Sequence, residues 1–429
     1  MFNQPSDMDK KYRVYLDILK DINSELFPGY DLKHILYVYA WYSMEVNKNA
    51  VALEVIKSFL TNPKLEIRVS ENDVLTLFTK TYRTDHDTYW QGLIDDLGEH
   101  DAITILNHTK HKYEKIRLSG FFSKLRWYRI AKKELNEIVE RKVRNYLAAQ
   151  MVRRKWVFEK IKKLNLRPKA VMCFCDALDD EALLMPYFKK QGAITVTNQH
   201  GQPTFYSKEY DFIQQSQLLN YCCDYFLARG EFTRNQFEKA GLDTTGLRTI
   251  DIVGKNYDKI GHSDTGVIGV YLDTPLFNFA DYSNSRLIGV AKELAKRIGL
   301  KYFIKLHPAD SADKYDAIID ENCTEIYSGK AVSLLESFKK IEFAIVHATS
   351  TYVDVYGAGL RCFKLNTEVY FPNACEEDCF STVDEILDKV KIWNSQSDEE
   401  KECYILKVRK RYDSGWQEGN IRKIFDEIL

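Results

Sequence analysis

Residues 341–365, which read IEFAIVHATSTYVDVYGAGLRCFKL, contain one complete repeat of the pattern that decides the fold. Within them Ile341–Val346, apolar except for Glu342, predicts a buried strand, Tyr352–Ala358 predicts a helix, and Arg361–Leu365 predicts a second strand. Strands that alternate with helices in this way form right-handed βαβ units on a parallel sheet. The stretch therefore predicts a protein of the α/β class.

The same alternation continues on both sides of this stretch. Toward the N-terminus it predicts strands and helices in turn at Val267–Leu272, Ser285–Ile298, Tyr302–Leu306, Asp313–Ile319, Thr324–Tyr327 and Val332–Lys340. An earlier series predicts strands and helices at Ala170–Phe174, Asp179–Lys190, Ala193–Thr197, Asp224–Ala228, Thr233–Ala240 and Thr249–Val253. Because the polar stretch Gly254–Gly266 separates the two series, we expect two doubly wound parallel-sheet domains joined by a linker.

The N-terminal part of the chain is predicted to be mainly helical. Apolar side chains recur at three- and four-residue spacing through Tyr12–Leu26 and His34–Leu60, so the first ~65 residues are predicted to be helical, and strand-like runs follow at Val74–Phe78 and Ala102–Leu106. We therefore expect an N-terminal domain, residues 1–255, with a helical extension, and a C-terminal domain, residues 266–400. Residues 401–429 are predicted to form helices that pack back across the domain junction.

The charge of the chain is uneven although its total is close to neutral. The 429 residues carry 61 Lys and Arg against 62 Asp and Glu, a net charge of −1. Residues 110–169 alone hold 20 basic and 5 acidic residues, a balance of +15, so the remainder carries −16. The neutral total argues against a protein that coats itself in positive charge to bind nucleic acid.

The basic segment 110–169, predicted to form long helices, interleaves cations with aromatic rings. This composition suits the surface of an anionic membrane, where rings lie at the headgroup level and cations reach phosphates. A lipid-linked acceptor lying in that surface would fit it too. RNA binding and a solvated helix face are the alternatives. The residues predicted to form this surface are Arg117, Phe121, Phe122, Lys124, Arg126, Trp127 and Arg129.

Several common features are missing from the sequence. The N-terminus shows no secretory signal, and no stretch reaches the ~18–20 apolar residues of a membrane-spanning helix. We therefore interpret the nine cysteines as reduced thiols of a cytoplasmic protein. Cys173-x-Cys175 and Cys375-x-x-x-Cys379 have no partner pair at a spacing that suits zinc. Neither a P-loop motif nor a G-x-S-x-G motif occurs.

Polar residues that directly follow predicted strands are the candidates for chemistry, because ligands bind beyond the carboxyl ends of parallel strands. His200 and Gly201 follow one strand, where an imidazole suits proton abstraction from a hydroxyl. The alternative is a histidine that satisfies a turn.

Two further clusters lie in the C-terminal half. Lys305, His307 and Pro308 close one strand, where the histidine could donate to a phosphate oxygen, or the proline simply ends the strand. The second cluster lies between a strand and a helix, where hydroxyls and free N–H groups form an anion site or an ordinary N-cap. It consists of His347, Thr349, Ser350 and Thr351.

The order of these motifs resembles that of bacterial surface-polysaccharide transferases of the GT-B fold. It is closest in character to capsule-synthesis glycosyltransferases and to the CDP-glycerol glycerophosphotransferases of teichoic acid assembly. The resemblance covers roughly residues 170–370. It implies two Rossmann-like domains with a deep cleft between them, donor phosphates bound by His307 and by Ser350 or Thr351, and His200 as the base. Gln202 and Pro203 follow the His-Gly pair where the glycerophosphotransferases typically have a small residue and a lysine, which counts against a polyol-phosphate donor.

The sequence and the resemblance together predict a glycosyltransferase that moves a sugar from a CMP-, CDP- or UDP-linked donor to a lipid-linked or oligosaccharide acceptor. We expect an inverting reaction at the inner face of the plasma membrane, in which His200, Asp176 or Asp179 deprotonates the acceptor. No Asp-x-Asp motif serves a donor site, so no obligatory metal is predicted. The alternatives are a glycerol- or ribitol-phosphate transferase with a CDP-linked donor and a non-catalytic scaffold that binds sugar nucleotides.

Overall fold

The computed structural model describes most of the chain. The described residues are 7–80, 84–106, 114–115, 118–201, 205, 215, 218–249, 260, 265–275, 280–308, 310–328, 332–367, 374–412 and 420–429. Contacts divide them into two units. The first holds described residues within 7–228, 233–249 and 420–429, and the second holds those within 229–232 and 260–412.

The first unit is built on a seven-stranded sheet in the order β2-β4-β3-β6-β7-β8-β9. The strands before residue 260 are β1 Thr61–Asn62, β2 Lys64–Arg68, β3 Val74–Lys80, β4 Asp101–Leu106, β5 Glu114–Lys115, β6 Ala170–Cys173, β7 Ile194–Asn198, β8 Tyr225–Ala228 and β9 Leu247–Thr249. All pairs in this sheet are parallel except β2 with β4. Strands β1 and β5 form a separate antiparallel pair.

Helices cover the first sheet and supply much of its core. They are α1 Asp7–Asp21, α2 Leu32–Glu45, α3 Lys48–Leu60, α4 Thr84–Leu97, α5 Leu118–Glu134, α6 Arg141–Leu164 and α7 Glu181–Lys190, followed by α8 Glu231–Ala240, which begins in the second unit. Helix α1 shows the reason for this packing, because Tyr12, Tyr15, Leu16 and Leu19 recur at helical spacing and are all buried. The predicted N-terminal helices and the long helices of the basic segment are confirmed.

The second unit is built on a parallel six-stranded sheet in the order β12-β11-β10-β13-β14-β15. Its strands are β10 Val267–Tyr271, β11 Lys301–Lys305, β12 Cys323–Tyr327, β13 Phe343–Val346, β14 Arg361–Leu365 and β15 Cys379–Phe380. Its helices are α9 Ala280–Ile298, α10 Leu334–Phe338, α11 Thr351–Gly357, α12 Val383–Ser395 and α13 Asp398–Tyr412. The stretch quoted first, residues 341–365, forms the predicted strand, helix and strand.

The structure corrects two expectations about secondary structure. The helix predicted over Asp313–Ile319 is only a single 3-10 turn, Ala312–Lys314. The buried Tyr315 ends it, because its hydroxyl donates to the Asp310 carboxylate and its N–H to Ala312 O. The second correction is at the end of the helical stretch predicted over residues 1–65, where β1 and the first residues of β2 form strands. Most side chains of β2 are exposed and give little apolar signal.

The last helix, α14 Asn420–Ile428, packs in the first unit although α12 and α13 belong to the second. Its Ile421 and Phe425 are buried in the first core, and the Ile421 N–H donates to the Asp96 carboxylate at 2.6 Å. Within the described residues, no helix combines the length and the hydropathy that crossing a membrane requires.

Candidate functional site

The order of strands in the second sheet reverses between β10 and β13. The chain adds β11 and β12 on one side of β10, and it then returns to add β13, β14 and β15 on the other side. In open parallel sheets, ligands bind beyond the carboxyl ends of the strands at such a reversal. Asp273 lies just after β10 and His347 just after β13, so both follow the strands that flank this position.

Asp273 and His347 form a buried ion pair or hydrogen-bonded pair at this edge. The Asp273 carboxylate lies 2.6 Å from Nδ1 of His347, and both side chains are almost completely buried. The other oxygen of the Asp273 carboxylate accepts the N–H of Ala348 at 2.8 Å. Nε2 of His347 lies 2.9 Å from the hydroxyl of Thr367. With Nδ1–H donating to the carboxylate, Nε2 is the acceptor for that hydroxyl in the neutral ring.

A residue of α9 fixes the backbone of the segment that carries Asp273. The side-chain oxygen of Asn284 accepts the Asp273 N–H at 2.9 Å, and its amide nitrogen lies 3.2 Å from the Tyr315 hydroxyl. Asn284 is fully buried. The carboxylate is therefore held in one orientation before any ligand binds.

The predicted hydroxyl cluster begins α11. Ser350 has helical backbone angles and makes no capping hydrogen bond through its side chain. The hydroxyl of Thr349 instead accepts the N–H of Thr351 at 3.3 Å and lies 3.0 Å from the Thr351 hydroxyl. The ordinary N-cap expected as the alternative is thus supplied by Thr349, one residue earlier than the helix boundary suggests.

The Lys-Leu-His-Pro segment follows β11. Lys305 is buried and its amine donates to the Ser328 carbonyl at 3.3 Å, while burial lowers its pKa. His307 is half-buried and Pro308 is exposed. The His307 carbonyl accepts the N–H of Asp310 at 2.9 Å, so the chain turns as soon as the strand ends.

Sequence reasoning missed two polar residues of this edge. Lys364 lies within β14 and is 2% exposed, and burial lowers its pKa to about 8, although the charges of Cys379 and Asp273 raise it. A lysine between Phe363 and Leu365 in a strand predicted to be buried is the signal that could have identified it. Asp273 satisfies the rule used for the histidines, a polar residue just after a strand, and applying that rule to β10 would have found it.

In the first unit, His200 faces another histidine. Its Nε2 lies 3.2 Å from Nε2 of His86 in α4, and the two rings are perpendicular. The Phe174 ring, which follows β6, packs against both imidazoles at centroid distances of 4.9 and 5.4 Å. A hydrogen bond between them requires Nε2–H on one ring and an unprotonated Nε2 on the other. Nothing in the sequence near His200 indicates His86, which lies 114 positions earlier.

The two carboxylates named with His200 have different surroundings. Asp176 is fully buried, and one of its oxygens accepts the N–H groups of Cys222 and Cys223 at 2.7 and 2.9 Å. Asp179 is partly exposed and has a left-handed backbone at φ 47°. Its carboxylate accepts the hydroxyl of Tyr39 and lies 3.9 Å from the buried guanidinium of Arg154.

Most residues of the predicted basic surface lie in α5, but not all on its exposed side. Phe122, Arg126 and Arg129 are exposed at helical spacing, whereas Phe121 and Trp127 are partly buried. Lys124 was expected at the surface, and this expectation is wrong. It is 1% exposed because its amine donates to the carbonyls of Ser58 and Thr61 at 2.8 and 2.7 Å. Arg117, Gln202 and Pro203 lie outside the described residues.

Two doubly wound sheets, each with polar side chains at its carboxyl edge, define the chain as a protein of the GT-B fold class. The UDP-GlcNAc 2-epimerase of Methanocaldococcus jannaschii aligns with a TM-score of 0.50 at 10% identity, covering 83% of this chain and 99% of that one. The UDP-GlcNAc 2-epimerase of Neisseria meningitidis, solved with UDP-GlcNAc, aligns with a TM-score of 0.50 at 12% identity, covering 82% and 98%.

The wall teichoic acid polymerase TagF aligns over 91% of this chain and 97% of its own at 12% identity, with a TM-score of 0.42. No protein-family model and no curated protein sequence matches the chain. The alignments with the two epimerases confirm the resemblance to GT-B enzymes at the level of the fold.

Proposed function

We propose that this protein is a glycosyltransferase that takes its sugar from a nucleotide-sugar donor. The observation that carries the proposal is the Asp273–His347 pair at the β10/β13 reversal of the second sheet. A buried, pre-oriented polar pair at this position suits the recognition of a bound nucleotide. The fold likeness to two epimerases, one of them solved with UDP-GlcNAc, supports a sugar nucleotide as the ligand class.

The donor phosphates would be held at the carboxyl edge of the second sheet. His307, Ser350 and Thr351 offer donors after β11 and β13, and Lys305 and Lys364 add buried amines. An anionic diphosphate beside a buried lysine favours the charged form of that amine. Donor groups of this kind would stabilise the negative charge that develops on the departing nucleotide. Pro308 and Thr349 would act by fixing the turns that carry these residues.

Deprotonation of the acceptor is assigned to His200. Its nitrogen would take the proton of the acceptor hydroxyl as that oxygen forms a bond to the anomeric carbon. The bond from that carbon to the donor phosphate breaks, and its electron pair leaves with the nucleotide. His86 lies against His200 and would share the proton. Asp179 is the carboxylate alternative, because Asp176 is buried and occupied by two backbone N–H groups.

The acceptor is proposed to be lipid-linked, and the exposed face of α5 carries this part of the proposal. Phe122 is 62% exposed, and Arg126 and Arg129 lie on the same side of the helix. An exposed ring beside two cations suits an anionic membrane surface, which agrees with a peripheral location at the inner face of the plasma membrane. In this proposal the N-terminal domain, residues 1–255, binds the acceptor, and residues 266–400 bind the donor.

A thermal-shift screen with CMP, CDP, UDP and GDP tests the ligand class. We expect one of these nucleotides to raise the melting temperature of the wild-type chain and to have a smaller effect on His307→Ala. Turnover with the identified donor should fall in His307→Ala even at saturating donor. Stabilisation by none of the four, or unchanged turnover in His307→Ala, would contradict the proposal.

The mass of the product separates the transferase from its alternatives. A glycosyltransferase adds a sugar to the acceptor, whereas a glycerol- or ribitol-phosphate transferase with a CDP-linked donor adds a polyol phosphate and releases CMP. Conversion of the sugar nucleotide without any acceptor would instead indicate an epimerase, which the two aligned structures make the competing enzyme class. Nucleotide binding without any turnover would indicate a scaffold.

A further inference from the structure

The first unit also contains a cluster of sulfur, carboxylate and imidazole groups, which does not include the His200–His86 pair. Ligand atoms of Asp176, Cys222 and Cys223 all lie within 4.8 Å of one another. Nε2 of His34 lies 3.4 Å from the Cys222 sulfur. The four residues come from three places in the chain, namely α2, the segment after β6 and the segment before β8. Only the tertiary structure brings them together.

Asp176 has one oxygen without a partner among the described residues. One oxygen accepts the N–H groups of Cys222 and Cys223, and the other, Oδ1, is buried and makes no hydrogen bond. A buried carboxylate oxygen left unpaired costs free energy, so a residue that is 0% exposed calls for a partner at that atom. The two backbone hydrogen bonds also fix the carboxylate beside the two sulfurs.

The donor set is typical of zinc. Thiolate, imidazole and carboxylate are the ligands that Zn²⁺ prefers, at about 2.3 Å for sulfur and about 2.0–2.1 Å for nitrogen. In a tetrahedral site with these bond lengths, a sulfur and a nitrogen are about 3.5 Å apart. The Cys222–His34 distance of 3.4 Å already fits one edge of such a tetrahedron. The ligand atoms of Asp176, Cys222 and Cys223 lie within 4.8 Å of one another, but Nε2 of His34 is not within that distance of all three. Binding therefore requires the His34 ring as well as the cysteine side chains to close around the ion.

We propose that Cys222, Cys223, Asp176 and His34 form a binding site for Zn²⁺ or a similar thiophilic divalent ion. Binding forms two metal–sulfur bonds, one metal–nitrogen bond and one metal–oxygen bond, and the two thiol protons leave to solvent. The ion would tie α2 to the loops that precede β8 and follow β6. The site is structural, since four protein ligands leave no open position for substrate.

Binding of Co²⁺ to the reduced full-length chain tests this directly. We expect one Co²⁺ per chain with a thiolate-to-cobalt charge-transfer band, displaced by Zn²⁺. The double variant Cys222→Ser/Cys223→Ser should lose the band. Cys403→Ser is the matched control, because Cys403 is exposed and lies in the second unit, and it should keep the band. Absence of metal binding by the reduced wild-type chain, or a band that survives in the double variant, overturns the proposal.

Two measurements keep the test decisive if the double variant folds poorly. In the wild-type chain, Zn²⁺ should protect Cys222 and Cys223 from alkylation, as mapped by peptide mass, while Cys403 reacts at its unchanged rate. His34→Gln should weaken Zn²⁺ binding by at least about tenfold, the loss that even an outer-shell partner causes. Equal alkylation with and without Zn²⁺, or unchanged affinity in His34→Gln, would contradict the assigned ligand set.

Discussion

The Asp273 carboxylate lies 2.6 Å from Nδ1 of His347, although 74 residues separate the two along the chain. Both follow strands that pair in parallel at the centre of the second sheet. The register of β10 with β13 places Tyr271 beside Val346, and the segments that follow these two strands leave the sheet side by side. The contact is therefore a direct consequence of the strand order.

Replacement of Asp273 by asparagine removes the negative charge that orients the His347 ring. Because an asparagine amide can present either its oxygen or its nitrogen to Nδ1, the ring then has no fixed tautomer, and we expect kcat/KM for the donor to fall by about 10- to 100-fold, the loss of one hydrogen bond to a charged group. Steady-state kinetics measures this loss, and circular dichroism verifies the fold. Asp281→Asn is the control, since that carboxylate is 86% exposed and should leave the kinetics unchanged. Wild-type kinetics in Asp273→Asn would contradict a role for the pair in donor binding.

The buried amine of Lys364 makes stability depend on pH. Burial lowers its pKa from the ordinary 10.5 to about 8 in the folded chain, so the unfolded chain binds more protons between these values. The free energy of unfolding should therefore rise with pH over this window, by up to about 3 kcal/mol from this group. Lys364→Met should lose that part of the slope.

Urea unfolding at pH 8, 9 and 10 tests the Lys364 prediction. Lys391→Met is the control, because that side chain is 74% exposed, and its slope should match the wild-type slope. A Lys364→Met slope equal to that of the wild-type chain would mean that the amine is charged in the folded state over the whole range.

The two histidines of the first unit should act as one group. His200→Ala is expected to lower kcat by about 10²- to 10⁴-fold, the usual contribution of a general base. Because His86 would act only through His200, adding His86→Ala to that variant should cause little further loss. Steady-state kinetics of both single variants and the double variant gives the coupling. Independent, additive losses would show that the imidazoles, although 3.2 Å apart, do not share the proton.

The exposed side of α5 should bind anionic membranes. Arg126→Glu/Arg129→Glu is expected to weaken binding to anionic vesicles by at least about 30-fold at low salt, since the loss of each cation alone costs about 1 kcal/mol and each new carboxylate adds repulsion. The control Lys391→Glu/Lys410→Glu reverses two exposed charges elsewhere and should have a much smaller effect. Vesicle sedimentation measures the binding. Equal binding of the wild-type chain to neutral and anionic vesicles would instead favour a solvated helix face.

The sequence predicted most strands of both sheets, because buried parallel strands are short apolar runs between amphipathic helices. The apolar pattern did not predict the structure correctly where the side chains of an element are mostly exposed. Strand β2 is mostly exposed and was missed, and the stretch predicted as a helix over Asp313–Ile319 forms only a 3-10 turn, at which the Tyr315 hydroxyl donates to the Asp310 carboxylate. Position after a strand also identified His200, His307 and His347 as residues of the carboxyl edges.

The sequence by itself determined the α/β class, the two series of strands and helices, and the basic segment, since each depends on residues close together in the chain. Only the tertiary structure decided which polar residues meet. Asp273 with His347, His86 with His200, and Cys222 with His34 are pairs that parallel strand order and helix packing create between distant segments. Burial is likewise a property of the folded chain. Lys124 was predicted at the surface, but in the folded chain it is buried and donates to two carbonyls.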